Sequence, residues 1–225
     1  MVDWDDIRLV VFDVDGTLYD QRTMRRRMLR ELAKDATRTR SLTTLRTLRG
    51  YRRTRELLAR QEVYDFERIL IASTAKRYRL QEGEVRALAA EWLEKRPLAH
   101  IRDCRYPGVE RLFAALRRRG KIIGVLSDYP AAEKLLAMEL KADFVVSAVD
   151  RHVGIQKPNP KGLELLMQAA GTVPTSTVLI GDRPETDGEA ARRAGAFALM
   201  RGNRKRGCAS SFADYGAPVF DALLR

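Results

Sequence analysis

Five short apolar runs, each closed by polar or turn-forming residues, limit what this chain can fold into. Leu9–Phe12, Ile122–Leu126, Phe144–Ser147, Val178–Ile180 and Phe197–Met200 are continuously apolar rather than alternating, as strands buried on both faces are. Segments of helical pattern near 108–119, 131–140, 160–170 and 186–194 separate the later runs. Buried strands alternating with helices predict an α/β fold, a doubly wound, Rossmann-like parallel sheet.

Between the first and second runs the rhythm differs. Met24, Met28 and Leu32 recur at i, i+4 and i+8; Val63, Phe66 and Leu70, like Val85, Leu88 and Trp92, at i, i+3 and i+7. From about 21 to 96 the pattern is helical without a strand signal, with Gly50 expected to kink or break the 41–60 segment. The chain therefore divides into an α/β core, 1–20 with 105–225, and an inserted all-helical cap domain, 21–104.

Composition narrows the class. With 45% apolar and 32% charged residues, the chain can bury a core and is not disordered. No apolar run reaches the ~18 residues of a membrane span, and the acidic start MVDWDDIRL is unlike a signal peptide. The two cysteines, Cys104 and Cys208, make neither a disulfide framework nor a zinc spacing, so a cytoplasmic protein is expected. Of the net charge of +12, +10 falls between Asp20 and Arg60, with 14 Lys/Arg against four Asp/Glu. Arg46, Arg49, Arg53 and Arg60 would line one stripe of a helix, as a solvated face or a grip for an anion. Few aromatics interleave them, which argues against nucleic acid.

Ligands of an open parallel sheet sit at the carboxyl ends of its strands. The residues delivered there are Asp13 and Asp15 after the first run, Ser127 and Asp128 after the second, Lys157 after the third, and Asp182 and Asp187 after the fourth. Clustered carboxylates repel unless a cation relieves them, and Asp13 with Asp182 suits Mg²⁺, which binds through one or two carboxylates plus substrate phosphate. Lys157, the Ser127 hydroxyl and amides of the Gly16 turn suit phosphate oxygens. Asp13 is placed to attack a phosphoryl group, and Asp15, two residues on and on the same face of an extended segment, to exchange the proton.

DVDGT at 13–17, Ser127 ending its strand, Lys157 in KPNP and GDRPETD at 181–187 resemble, in order, the four motifs of the haloacid dehalogenase superfamily. The helical insertion resembles that family's C1-type cap, as in phosphoglycolate-phosphatase-like members. The resemblance implies a nucleophile and metal ligand in Asp13, and an acid/base in Asp15, whose backbone carbonyl also reaches the metal. It implies phosphate binding by Ser127 and Lys157, with Asp128 beside them. Asp182 would complete the ligands to Mg²⁺, with Asp187 behind it or bound through water. Dehalogenases of the superfamily lack the second aspartate, so Asp15 favours a phosphatase acting on a small phosphorylated metabolite through an aspartyl-phosphate. A phosphonate hydrolase would need a buried cap amine, and the cap offers only Lys34, Lys76 and Lys95. A sugar phosphomutase shares the core, and a polyanion-binding protein using the arginine-rich cap is the rival from another class. No membrane partner is expected, and the chain would be a monomer or homodimer. Tyr19 and Tyr129 are candidates for the seam between cap and core, and His152 and RGNRKRG at 201–207 for solvated loops.

Overall fold

The computed structural model describes residues 2–202 and 211–225. Six parallel strands, β1 (Leu9–Phe12), β2 (Ile122–Ser127), β3 (Phe144–Ser147), β4 (Thr177–Gly181), β5 (Phe197–Arg201) and β6 (Ser211–Phe212), lie in the order β3-β2-β1-β4-β5-β6. Five fall where the apolar runs predict them. The two-residue β6, paired with β5 at Met200↔Ser211 and Arg201↔Phe212, is too short to carry a hydropathy signal.

The continuous hydrophobicity of β1 follows from its central place. Leu9 and Val11 pack with Leu163 and Leu166 of α8 (Lys161–Ala169) and Ala190 and Ala191 of α9 (Glu189–Ala194). Val10 and Phe12 face the opposite layer, with Leu112, Phe113 and Leu116 of α6 (Val109–Arg118) and Leu223 of α10 (Asp221–Leu224). Both faces of the sheet are therefore covered, as the sequence pattern requires.

The insertion holds α1 (Gln21–Thr39), α2 (Thr43–Arg60), α3 (Phe66–Tyr78), α4 (Glu82–Ala89), a π-helical turn at Ala90–Lys95, and α5 (Arg96–Cys104). Its entrance is fixed locally, since the Asp20 carboxylate accepts from the amides of Arg22 and Thr23 at 2.9 and 3.2 Å and caps α1. Entry and exit pair with each other: Asp20 N donates to Cys104 O and Tyr106 N to Leu18 O, at 2.8 and 3.0 Å. Contrary to the sequence expectation, α2 runs straight through Gly50. Gly50 is there for space, because a Cβ at that position would sit 2.6 Å from Cζ of Tyr78 on α3. No described helix is long and apolar enough to cross a membrane.

Candidate active site

β1 lies between β2 and β4, and the chain crosses β1 to pass from β3 to β4. The switch in strand order thus falls at the carboxyl end of β1, where such sheets open a crevice. Asp13 leaves β1 there, with its amide still bonded to Ile180 O of β4 at 2.9 Å.

The Asp13 carboxylate is buried and held at both oxygens, Oδ1 by Lys157 Nζ at 2.6 Å and Oδ2 by the Thr17 hydroxyl at 2.9 Å. Thr17 itself is fully buried, and the Tyr215 hydroxyl donates to its carbonyl at 2.7 Å. Gly16 turns the chain with φ +102°, and a Cβ there would lie 2.8 Å from Asp182 Cγ. The turn therefore needs glycine both for its backbone angle and for the approach of Asp182.

Lys157, 2% exposed, also donates to Asp187 Oδ1 at 2.6 Å and to Leu126 O at 3.3 Å. Burial disfavours its charge, but Asp13 and Asp187 more than offset this and its pKa is raised. Asp187 Oδ2 accepts the amides of Asp182 and Arg183 at 3.2 and 3.0 Å. Burial raises the Asp13 carboxyl against the pull of Lys157, and Asp187 and Asp182 push it further. Burial, then Asp187, raises Asp182 to about 6.

These groups fit a hard divalent cation. Asp13, Asp182 and Asp187 each offer an oxygen within 4.8 Å of the others. Asp182 Oδ1 is buried with no hydrogen-bond partner among the described residues, a costly state for a carboxylate that a cation would relieve. Asp187 is the least available of the three, being already engaged by Lys157 and two amides.

Asp15 stands apart from that cluster with its own cation. Lys134 Nζ donates to both of its oxygens at 2.7 Å, and the Tyr19 hydroxyl to Oδ1. Burial would raise the Asp15 carboxyl, but Lys134 and then Tyr19 outweigh it and the pKa is lowered.

Ser127 is fully buried, and its Oγ accepts the Tyr129 amide at 3.2 Å. Asp128 stands beside Ser127 with its carboxylate turned to other partners: it accepts the Lys157 amide at 3.1 Å and the Arg183 guanidinium at 3.1 Å. Its carbonyl accepts from Arg55 of α2. Arg55 is 3% exposed, with Cζ 4.0 Å from the Tyr129 ring centroid and 4.8 Å from that of Phe66. The arginine that reaches the site is thus on the buried arc of α2 with Leu48, Tyr51 and Leu58, off the predicted stripe. Arg46, Arg49, Arg53 and Arg60 are exposed and, with Arg77, line two shallow basins of about 360 and 540 Å³ that share no residue with the acidic cluster. His152 is exposed, and RGNRKRG lies, beyond Gly202, outside the described residues.

A family model described as haloacid dehalogenase-like hydrolase matches residues 7–195, which takes in all of these side chains except Tyr215. The chain belongs to the haloacid dehalogenase-like hydrolases. Similar proteins include a phosphoserine phosphatase of Thermus thermophilus, 33% identical over 97 residues, which are 42% of this chain and 39% of that protein. A glyceraldehyde 3-phosphate phosphatase of Methanopyrus kandleri is 26% identical over 195 residues, 84% of this chain and 81% of that one. Among solved structures, a 2-haloacid dehalogenase from Pseudomonas syringae pv. Tomato DC3000 superposes with a TM-score of 0.63 at 20% identity, covering 93% of this chain and 95% of that chain; at that identity the likeness is one of fold.

Of the residues around this hydrolase site, Thr17, Lys134, Arg55 and Tyr215 were not singled out as site residues by the sequence reading. Two of them left a signal. Arg55 occupies a core position in the 3-4-3 spacing Leu48, Tyr51, Arg55, Leu58. Lys134 falls among Ala131, Leu135 and Met138 on the buried face of α7 (Ala132–Ala137). A cation in an apolar stripe asks for a buried anion or an aromatic face.

Proposed function

We propose that this chain is a Mg²⁺-dependent phosphatase that hydrolyses a small phosphorylated metabolite through an aspartyl-phosphate on Asp13. The observation that carries the reading is the separate treatment of the two aspartates. Asp13 sits with Lys157 and the acidic cluster, while Asp15 has its own cation and hydroxyl. One carboxylate is thereby kept as nucleophile and the other as proton carrier, a division that dehalogenation, whose displaced halide takes no proton on leaving, does not need.

Asp13 and Asp182, with the Asp15 carbonyl and Asp187 behind them, would hold the metal. Bound Mg²⁺ would offset the charge of the phosphate and of the carboxylates that must approach it. Lys157, the Ser127 hydroxyl and the Asp128 amide would orient the phosphoryl oxygens. An Asp13 oxygen attacks phosphorus, and the leaving oxygen takes a proton from Asp15, whose carboxyl, held ionised in the free protein by Lys134 and Tyr19, would gain that proton from solvent as the negative charge of the substrate comes beside it. Asp15 then takes a proton from the water that opens the acyl phosphate, restoring Asp13.

The insertion, 21–104, would serve as the cap. It is tied to the core by Asp65 N to Gly154 O at 2.9 Å, Gln156 Nε2 to Arg55 O at 3.2 Å, and Asn159 Nδ2 and Arg193 Nη1 of α9 to the Glu62 carboxylate at 3.0 and 2.5 Å. Its lysines Lys34, Lys76 and Lys95 are exposed, so it offers no buried amine for a Schiff base with a phosphonate substrate. The names of the relatives point to phosphorylated three-carbon metabolites as the first compounds to try.

A screen of phosphomonoesters with Mg²⁺ or with chelator tests the reading. Phosphate release that needs the metal is expected, as is a rise in melting temperature of about 5–10 °C at Mg²⁺ near 100 times its Kd. No release from any ester, with no thermal shift, overturns it. Gly16→Ala is a second test: by pushing Asp182 aside it should cut turnover about 100-fold or more and weaken Mg²⁺ binding in calorimetry, with far-UV dichroism unchanged.

A further inference from the structure

Lys134 has no part in the four motifs, yet it is one of the most completely buried charges in the molecule, its side chain only 5% exposed. A buried ion pair is a poor source of stability compared with apolar residues of the same volume, so fold stability does not account for a lysine here. Its partner, the Asp15 carboxylate, has a side chain 15% exposed. A carboxylate offers about four lone-pair sites, two on each oxygen. On Oδ1 both are taken, by Tyr19 and Lys134; on Oδ2 Lys134 takes one. One acceptor site on one defined oxygen is left.

We propose that Lys134 is a positioning residue that fixes the Asp15 carboxylate so that Oδ2 alone exchanges protons with the leaving oxygen and with water. The inference rests on the phosphatase reading above and adds to it the residue that sets its proton geometry.

The holders of Asp15 come from two parts of the molecule. Lys134 is on α7 of the core, while Tyr19 lies in the segment entering the insertion, bridged to Arg105 where the chain returns. Lys134 Nζ is 5.3 Å from the centroid of the Tyr129 ring, and Arg55 of the insertion lies 4.0 Å from the same centroid. The Tyr129 ring is thus shared by a cation of the core and one of the insertion.

The test compares kcat/KM for an alkyl phosphate with that for p-nitrophenyl phosphate, whose leaving phenolate needs no proton. This ratio of constants covers only steps up to release of the alcohol, so the later hydrolysis does not enter. In Lys134→Met the alkyl ester should lose about 100-fold and the aryl ester about tenfold less than that; Lys134→Arg, which keeps a cation on the carboxylate, should restore most of the alkyl activity. Equal losses on both esters, or no rescue by arginine, overturn the proposal and leave the phosphatase reading standing. A wild-type protein silent on both esters overturns both. Should the methionine variant fail to fold, Lys134→Gln, with a similar volume and a hydrogen-bond donor, decides by the same comparison.

Discussion

Asn at position 13 is expected to lower phosphate release by about 10⁴-fold or more, the scale on which removal of an attacking group acts. The amide has the shape of the carboxylate: its oxygen can still accept from Lys157, and its NH2, in the place of Oδ2, can donate to the Thr17 hydroxyl, so the fold should persist. It cannot form an acyl phosphate. The sign of the stability change separates this from misfolding. Asp13 is raised by burial and by the neighbouring Asp187 and Asp182, so removing its charge relieves repulsion, and without metal the variant should melt no lower than wild type. Acid-quenched wild-type enzyme should carry one phosphoryl group by intact mass, and Asp13→Asn none. Turnover within tenfold of wild type would place the nucleophile elsewhere.

The core was legible because its signals are local. Four residues of continuous hydrophobicity suffice to mark β1 as covered on both faces, and the rule for parallel sheets then places Asp13, Ser127, Lys157 and Asp182 at one edge before any coordinates are known. The insertion was legible as helical for the same reason, from the spacing of Met24, Met28 and Trp92. Where the reading failed, the deciding contact is distant in sequence. Gly50 looks like a helix breaker until Tyr78, on the next helix, is seen to need its space. β6 is defined only by pairing with β5.

Charges in the wrong place were the harder case. Counting arginines on α2 directs attention to the exposed stripe of Arg46, Arg49, Arg53 and Arg60, since number dominates any sum of charge. Burial reverses the ranking. Arg55, the one cation on the apolar arc of α2, reaches the Asp128 carbonyl and the ring faces of Tyr129 and Phe66, with its Nε left without a hydrogen-bond partner among the described residues. Asp128 shows the converse: adjacency to Ser127 says nothing of where its carboxylate turns, and contacts far away in sequence, Lys157 N and Arg183, take it up.

Lys157→Met should have the largest effect on stability. The ammonium is bonded to Asp13, Asp187 and Leu126 O, and removing one partner of a buried pair costs about 3–5 kcal/mol. For a chain of this size that is a fall in melting temperature of about 6–20 °C. The loss must depend on pH in a defined direction. Lys157 lowers the Asp13 carboxyl, so without it that carboxyl rises further above its unfolded value. The folded variant then binds more protons than the unfolded chain, and its stability falls as pH rises through the folded pKa. The gap to wild type should accordingly be widest near pH 8 and narrow toward pH 5. Mg²⁺ acts in the same sense as the missing ammonium by placing positive charge among Asp13, Asp182 and Asp187, so it should raise the melting temperature of the variant more than that of wild type, without restoring turnover. A variant melting within about 2 °C of wild type at pH 8 without metal would mean that these carboxylates are not held together by Lys157, and that the charge balance of the site lies in Arg183 and Lys134 instead.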